Sequence, residues 1–321
     1  MTRSRLIVFR LVTVLGGLAV VLAGVVGVEL YATSRIRDAG WNVRGYRGRI
    51  LHAKAPNEIR VFAIGGSTTY GYTVGPEETY PAQLEAMLNQ RFAPQGIVVS
   101  VANLGHLSDS SVCYAPTYRD YAYLKPDVAI VYEGYNDAGR NFRRTELDCY
   151  RQSSAIFRAT GFFPTSPIFL WERWYKLRYG NIDEGYRRRQ EAFAQANKDK
   201  PKAPSRILSA EEAYQTYERN VVAFVELVLG DGRSLTFASQ PYLGKRAHLE
   251  QQTRIRVALA PSMPNPRFRY RDFLYLFGGK YDPAWFNSDM WLNPRGNGVL
   301  AERLAEPVAE LIAAELARRR P

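Results

Sequence analysis

A serine in a glycine-rich turn is the first feature of this sequence that suggests chemistry. Ser67 lies in the run GGSTT at residues 65–69, directly after a short apolar run at residues 59–64. The apolar run predicts a buried strand, so the serine falls at a strand-to-helix turn, where its hydroxyl is exposed. A serine hydroxyl becomes a strong nucleophile when an adjacent base takes its proton. Gly-Ser turns are common, so this turn by itself is a weak signal of such chemistry.

Two more glycine-containing turns follow the next predicted strands. NLG at residues 103–105 follows the apolar run at 97–102, and GYND at 134–137 follows the run at 127–132. The carboxyl ends of parallel strands meet at one edge of a sheet, where ligands bind. Three such turns in order are a stronger signal than any one of them.

The elements that must position these turns alternate between strand and helix. Helical periodicity predicts helices at residues 81–92, 110–124, 211–229 and 294–318, and further apolar runs predict strands at 234–239 and 268–273. This alternation predicts a mostly parallel sheet covered by helices on both faces.

The three turns resemble those of the SGNH (GDSL-like) hydrolase family. The resemblance implies a three-layer α/β/α, flavodoxin-like SGNH-hydrolase fold and covers roughly residues 60–141 and 234–312. In that family, the serine attacks the substrate, and an oxyanion hole is formed by backbone N–H groups and an asparagine side chain. Carried over to this sequence, Ser67 is the nucleophile, and Gly105 and Asn136 are the oxyanion donors.

The sequence departs from the family in the block that supplies the catalytic Asp and His. The family pattern is D-x-x-H followed by a Leu-Thr-Pro-x-Gly-Asn-like stretch, and residues 288–297 read SDMWLNPRGN. The retained Leu-x-Pro-x-Gly-Asn frame places Trp291 at the histidine position and Ser288 at the aspartate position. Asp289 offers a carboxylate one residue after the aspartate position, but nothing in this block supplies an imidazole. Loss of the base in a Ser-His machine costs on the order of 10⁴–10⁶ in kcat, so Ser67 is either vestigial or served by an unfamiliar base.

The chain has three histidines. His106 directly follows the second turn and is either a relocated base or a loop histidine, whereas His248 and His52 are expected at the surface. Glu133 and Asp137 flank the third turn and are interpreted as loop-capping carboxylates. We expect no metal and no cofactor, because isolated histidines and scattered carboxylates form no ligand set.

The N-terminus contains an apolar run long enough to cross a bilayer. Residues 11–28 carry no charge, and 18 helical residues reach roughly the ~30 Å hydrocarbon thickness. The run is longer than the apolar core of a secretory signal, so we expect an uncleaved anchor, with a cleaved signal as the alternative. The short basic N-terminus favours the inner (cytoplasmic) membrane with the bulk of the chain periplasmic.

A stripe of small residues follows one side of this helix, at Gly16, Ala19, Ala23 and Gly27. Such stripes let two helices approach closely in lipid, so the stripe suggests packing against other integral membrane subunits. The alternative is that a Val/Ala/Gly-rich anchor produces the spacing by chance.

The remaining organisation follows from composition. We expect an anchor at residues 1–34, a linker at 35–56 and a hydrolase-like domain at 57–321, with a basic, aromatic insertion at 140–206. The insertion holds 15 Lys or Arg against 7 Asp or Glu, which is +8 of the chain's net +12. It is interpreted as a solvated helical insertion, or as a face for anionic lipid or an acidic protein. No nucleic-acid partner is expected. Cys113 and Cys149 form either a disulfide or two free thiols.

Two functions are compatible with these observations. The favoured one is a membrane-anchored, extracytoplasmic and non-catalytic SGNH-like domain that acts as a structural or binding subunit of a membrane protein complex. The alternative is an active serine esterase or O-acetyl hydrolase that acts on cell-envelope glycans or lipids through Ser67. The distance from Ser67 to the nearest imidazole discriminates between them.

Overall fold

The computed structural model describes residues 3–35, 41–138, 145–149, 151–196, 208–288 and 290–319. Among these residues the α-helices are α1 Arg3–Arg35, α2 Ser67–Tyr70, α3 Tyr80–Phe92, α4 Tyr114–Asp120, α5 Ala155–Thr160, α6 Ser166–Tyr179, α7 Ile182–Ala196, α8 Ala210–Gly230, α9 Arg246–Ala258 and α10 Pro294–Arg319. The strands are β1 Glu58–Ile64, β2 Val98–Asn103, β3 Val128–Tyr132, β4 Ser234–Ala238, β5 Phe268–Arg271, β6 Phe286–Ser288 and β7 Trp291–Leu292. Single 3₁₀ turns lie at Pro76–Glu78, Ala93–Gln95, Ser111–Cys113, Ala122–Leu124, Glu146–Asp148 and Ala260–Ser262.

The central sheet has the order β2-β1-β3-β4-β5, and all four of its strand pairs are parallel. This is the flavodoxin-like order, and it confirms the predicted α/β fold. β1, β3 and β4 are buried along their whole length, as expected for strands covered on both faces. β6 and β7 form a separate antiparallel pair.

Alternate residues of the strands face two different helix layers. Val61 belongs to the core that includes the inner faces of α3 and α10. The neighbouring Phe62 instead meets Tyr118 of α4, with 6.2 Å between ring centroids. Tyr118 in turn contacts Phe224 of α8 at 6.0 Å. The sheet therefore lies between α3 with α10 on one side and α4 with α8 on the other.

The predicted helix at residues 110–124 is wrong in extent. Only Tyr114–Asp120 is α-helical, with a 3₁₀ turn on each side. Lys125 has a φ of 55°, and this left-handed conformation ends the second turn before β3. A backbone in this region cannot continue a right-handed helix.

The chain forms two compact units, and their boundaries differ from the predicted segments. The first unit comprises Met1–Gly45 and Phe162–Pro201, and the second comprises Tyr46–Gly161 and Lys202–Pro321. The predicted linker at 35–56 is divided between them, and its residues 46–56 belong to the second unit. Tyr46 is buried and accepts a hydrogen bond from the Leu51 N–H at 2.6 Å. Much of the predicted insertion at 140–206 belongs to the first unit, and residues 140–144, 150 and 197–206 of it lie outside the described ranges.

The first unit contains α1, α6 and α7. Within α1, Ser4–Ala32 is long and apolar enough to cross a membrane, and also fits a signal sequence. α6 packs against both α1 and α7. Tyr175 of α6 touches the backbone of α7 at Gly185, where a Cβ would lie 2.2 Å from the Tyr175 ring. The small residue is therefore needed for α6 and α7 to approach this closely.

Candidate functional site

The three predicted turns meet at the carboxyl edge of the sheet in the second unit. A Cβ on Gly66 would lie 2.2 Å from the side-chain amide nitrogen of Asn136, so the first and third turns touch. A Cβ on Gly105 would lie 2.4 Å from the backbone nitrogen of Tyr70 in α2. Only glycine permits these approaches. The turns are therefore packed around the helix that begins at Ser67.

The Ser67 hydroxyl accepts a hydrogen bond from Trp291. Ser67 is the first residue of α2 and is 9% exposed, and the distance from Trp291 Nε1 to Ser67 Oγ is 3.0 Å. In the part of the chain that the structure describes, this is the only hydrogen bond of the Ser67 hydroxyl. An indole N–H donates and cannot accept, so this partner cannot take the serine proton.

Trp291 is held against Ser67 by the small antiparallel hairpin. Trp291 in β7 pairs with Ser288 in β6, so the residues at the family's His and Asp positions lie opposite each other. On the side of α2, the Trp291 ring packs on the Tyr72 ring with 4.9 Å between centroids. The indole therefore occupies the place that the motif register predicts for the imidazole. Asp289 lies outside the described residues.

The retained Leu-x-Pro-x-Gly-Asn frame fixes β7. The Asn297 side chain donates to the Leu292 carbonyl at 3.0 Å and accepts from the Tyr80 N–H at 2.9 Å. A Cβ on Gly296 would lie 2.3 Å from the carbonyl oxygen of Trp285. The frame thus connects the start of α10 to β7 and α3.

The two predicted oxyanion donors are both engaged within the protein. The Gly105 N–H donates to Asn103 Oδ1 at 3.1 Å, and the Asn136 side chain donates to the Asp109 carbonyl at 2.6 Å. One amide proton of Asn136 remains for a ligand, because the group carries two. Their roles as oxyanion donors stay predictions.

A buried carboxylate joins the first and third turns. Glu133 accepts hydrogen bonds from the Gly66 N–H, from the Gly134 N–H at 3.0 Å and from the Asn136 N–H at 3.2 Å. The pKa of Glu133 is raised to about 8, chiefly by burial and also by the nearby Asp137, while hydrogen bonds from the backbone N–H groups oppose this rise. Asp137 accepts from the N–H and hydroxyl of Ser111. Both carboxylates cap loops, as interpreted from the sequence.

His106 is completely buried beside the second turn. Burial, and then the positive charge of Arg151, lower the pKa of His106 well below 6.5. A general base must become positively charged when it takes a proton, and this environment disfavours that form. His106 as a base for Ser67 stays a prediction, and its surroundings do not favour it.

The expectation for His248 is wrong, whereas His52 is exposed as expected. His248 is buried, stacks on Tyr135 with 3.9 Å between ring centroids, and lies 3.2 Å from the Gln240 carbonyl. Burial lowers its pKa to about 4. Sequence periodicity could not reveal this, because the partners of His248 lie in loops after β3 and β4.

Cys113 and Cys149 form a disulfide with 5.6 Å between their Cα atoms. The bond joins the 3₁₀ turn that precedes α4 to the turn at Glu146–Asp148. Next to it, the buried Arg151 donates to the Leu104 carbonyl at 2.6 Å and to the Thr117 hydroxyl at 3.1 Å. The disulfide therefore connects the start of the insertion to the turn before α4, and Arg151 connects it to the second turn of the site.

A cavity of about 450 Å³ lies at the carboxyl ends of β3 and β4 and is lined by Tyr135, Leu243, Lys245, Tyr281, Ser288 and Met290. The Lys245 ammonium lies 5.4 Å from the centre of the Tyr135 ring. Gln240 accepts from the Tyr135 N–H at 2.8 Å and donates to the Thr68 hydroxyl at 2.6 Å. Gln240 therefore connects the cavity wall to α2. Aromatic rings beside an ammonium suit a ligand that has both an apolar face and a negative charge.

Sequence reasoning missed Arg47, which clamps the loop after α2. The guanidinium donates to the Tyr70 carbonyl, to the Gly71 carbonyl at 2.7 Å and to the Val74 carbonyl at 2.6 Å. It also stacks on the Tyr70 ring at 4.3 Å. A buried arginine with a set of carbonyl partners pins the helix that carries Ser67. An arginine in a predicted linker gave no local signal of this role.

Part of the chain is similar to a known protein family. Residues 63–204 match the model of the GDSL-like Lipase/Acylhydrolase family. This part of the chain is similar to GDSL-like lipases and acylhydrolases. The match includes the three turns and excludes the block around Trp291, in which the sequence departs from the SGNH pattern. No curated protein sequence matches the chain.

Solved structures of GDSL-like proteins are similar to this chain at low identity. A lipolytic protein of the G-D-S-L family from Desulfitobacterium hafniense is 17% identical, covers 77% of this chain and 98% of its own, and has a TM-score of 0.43. A GDSL-like lipase from Bacteroides thetaiotaomicron is 13% identical, with coverages of 82% and 93% and a TM-score of 0.43. An acetylxylan esterase from Geobacillus stearothermophilus is 14% identical, with coverages of 81% and 96% and a TM-score of 0.44.

Proposed function

We propose that this GDSL-like domain is non-catalytic and serves as a binding or structural subunit of a membrane protein complex. The observation that supports this is the hydrogen bond from Trp291 Nε1 to Ser67 Oγ at 3.0 Å. Where a hydrolase needs a proton acceptor, this chain has a donor. The hydroxyl is held in place by a partner that cannot activate it.

The size of the expected deficit supports the same proposal. Removal of the base from a Ser-His machine costs on the order of 10⁴–10⁶ in kcat. Oxyanion donors and substrate binding alone leave a rate acceleration of about 10³–10⁴ over the reaction in water. In this chain, the Gly105 N–H is also directed at Asn103, so the residual acceleration is expected at the low end.

We place the domain on the extracytoplasmic side of the inner membrane. The length and apolarity of Ser4–Ala32 support an anchor, and the Cys113–Cys149 disulfide supports an oxidising compartment such as the periplasm. The small-residue stripe, Gly16, Ala19, Ala23 and Gly27, is the proposed contact with partner helices. Among the described residues, no atom lies within 4 Å of a Cβ built on Gly16 or Gly27, so close approach by a second helix is sterically possible.

The test compares activated-ester hydrolysis and fluorophosphonate labelling of the full chain with those of Ser67→Ala. We expect the two proteins to be indistinguishable with p-nitrophenyl acetate and with the probe. Turnover or labelling that disappears in Ser67→Ala would refute the non-catalytic proposal. Co-purification in mild detergent then tests the complex, and a strictly monomeric chain without a partner would contradict the subunit role.

A gain-of-function variant tests the register of the site. Trp291→His combined with Ser288→Asp restores the family pattern on the β6–β7 hairpin, and we expect Ser67-dependent labelling to appear. The matched control is Trp285→His, which removes another tryptophan of the same unit without placing an imidazole at the family position. Labelling by the control variant as well would contradict the assignment of position 291.

The alternative function is a serine esterase or O-acetyl hydrolase that acts on cell-envelope glycans or lipids. The family description as lipase and acylhydrolase, together with the retained Ser67, favours it. Its mechanism would need a base other than the residue at position 291. Hydrolysis that depends on both Ser67 and His106 would support this alternative and identify that base.

A further inference from the structure

Helix α6 in the first unit carries a stripe of apolar side chains that stay exposed in the described chain. Leu170, Trp171, Trp174 and Leu177 are all exposed, and Leu177 is 86% exposed. With about 3.6 residues per turn, Leu170, Trp174 and Leu177 lie along one side of the helix. Two exposed tryptophans on one short helix are unusual for a water-facing surface, because the exposure of large apolar side chains to water is unfavourable.

The start of α6 is fixed to the last turns of α1. Glu29 is buried and accepts hydrogen bonds from the N–H and hydroxyl of Thr165 and from the N–H of Ser166. These N–H groups form the N-terminus of α6, which favours a negative partner. Tyr31 of α1 meets Phe169 of α6 with 6.0 Å between ring centroids.

This attachment sets the level of α6 relative to the apolar part of α1. Glu29 directly follows the uncharged run at residues 11–28, so α6 starts where the hydrocarbon-spanning part ends. The side chains of α1 before this point are exposed, as expected for a helix surrounded by lipid. A helix that leaves α1 at this level begins at the boundary between acyl chains and headgroups.

The charges around the stripe suit the same location. Arg173 and Arg178 lie on its two sides, Lys176 is also exposed, and Arg189 of α7 lies 5.7 Å from the Trp171 ring. Cations that flank an apolar face can contact lipid phosphates while the apolar side chains enter the acyl boundary. Tryptophan prefers this interfacial layer because its ring is apolar and its N–H is polar.

We propose that α6 is an interfacial helix that lies on the leaflet from which α1 emerges. The apolar stripe enters the headgroup–acyl boundary, and Arg173 and Arg178 contact lipid phosphates. This inference rests on the proposed membrane insertion of α1. The occupant of the stripe is the lipid bilayer, and not a second protein.

The experiment uses the full chain reconstituted into vesicles of phosphatidylcholine and phosphatidylglycerol. One lipid carries bromine either high on the acyl chain or at the chain end, and bromine quenches nearby tryptophan fluorescence. We expect stronger quenching by the upper-chain bromine, because interfacial helices bury their apolar face by about 5–10 Å. Trp171→Phe with Trp174→Phe should remove most of this quenching. The matched control Trp285→Phe removes a tryptophan of the second unit and should leave it unchanged.

A second variant keeps both tryptophans and replaces the two leucines of the stripe. Leu170→Ser with Leu177→Ser should reduce the quenching and shift the emission to longer wavelength, because the stripe then leaves the boundary. Circular dichroism of each variant checks that the helices are retained. Unchanged quenching in this variant would contradict insertion of the stripe.

Alkaline extraction of the vesicles separates the two proposals. A chain that is released by alkaline buffer refutes the membrane-spanning α1, and with it the basis of this inference. A chain that is retained while Trp171 and Trp174 stay unquenched refutes the interfacial α6 alone and assigns the stripe to a protein partner. Quenching that is strongest from the chain-end bromine would also overturn the interfacial placement.

Discussion

Glu133 is expected to make the stability of the second unit fall as the pH rises. Its carboxyl group is 1% exposed, and burial raises its pKa from 4.5 to about 8. Between these two values the folded chain binds the proton more tightly than the unfolded chain does. The stability contribution is therefore complete below pH 4.5 and is lost as the pH rises through 8.

The interval between pH 7.5 and 9 isolates this carboxyl group from the buried histidines. Burial lowers the pKa of His248 to about 4 and that of His106 well below 6.5. Their effect has the opposite sign, since stability rises with pH up to the unfolded value of 6.5 and then levels off. Above pH 7.5, the change from 4.5 to about 8 for Glu133 predicts a loss of roughly 0.8 kcal/mol by pH 9.

The assay is urea unfolding of the full chain in a nonionic detergent, followed by tryptophan fluorescence across this pH interval. Glu133→Gln should remove the slope. It should also cost about 1–3 kcal/mol at low pH, because an amide nitrogen cannot accept the N–H bonds that the carboxylate oxygen accepts. Glu306→Gln is the control, since Glu306 is exposed beside Arg91 and its removal should leave the slope intact. A wild-type stability that is flat or increases over the interval, or a slope that persists in Glu133→Gln, would refute the reasoning.

Two further substitutions test contacts that hold the site. Replacing Cys113 and Cys149 by serine opens a loop with a sequence separation of 36, and the loop-entropy relation predicts a loss of about 4 kcal/mol, measured as the difference in urea midpoint with and without the substitutions. Asn297→Ala removes buried hydrogen bonds to β7 and to the start of α3 and should cost about 3 kcal/mol, together with a change in Trp291 fluorescence. The exposed Asn57→Ala should cost less than about 1 kcal/mol in the same assay, and an equal cost would contradict the role assigned to Asn297.

The parts of the site that sequence could predict are those fixed by local backbone geometry. Each of the three turns follows a buried strand, and parallel strands bring their carboxyl ends to one edge, so the neighbourhood of Ser67, Gly105 and Asn136 follows from order alone. The register of Trp291 was also readable, because the frame that ends at Asn297 lies within six residues of it. The contact between Trp291 and Ser67 could not be predicted from the sequence, because it depends on the hairpin of β6 and β7. These two short strands carry no periodic signal.

The parts that sequence could not predict depend on partners far away in the chain. Glu29 binds the start of α6 across 136 residues, and its sequence neighbours suggest only the end of an apolar run. Arg47 binds the loop after α2, whereas an arginine in a polar stretch is expected to lie at the surface. His248 is covered by Tyr135. In each case a polar residue is buried because its hydrogen bonds are satisfied, and such satisfaction is a tertiary property.

The hydrogen bonds at the strand ends together support the non-catalytic proposal better than the lost imidazole alone does. An acyl-transfer site keeps donors aimed at the place where negative charge develops, and they contribute most when nothing else in the protein uses them. Here the Gly105 N–H binds the side chain of Asn103, and the Asn136 side chain donates to the Asp109 carbonyl. The Ser67 hydroxyl is itself an acceptor for an indole. These polar groups therefore stabilise the fold, and restoring an imidazole at position 291 should yield far less activity than a full family site would, because the Gly105 donor must first leave its present partner.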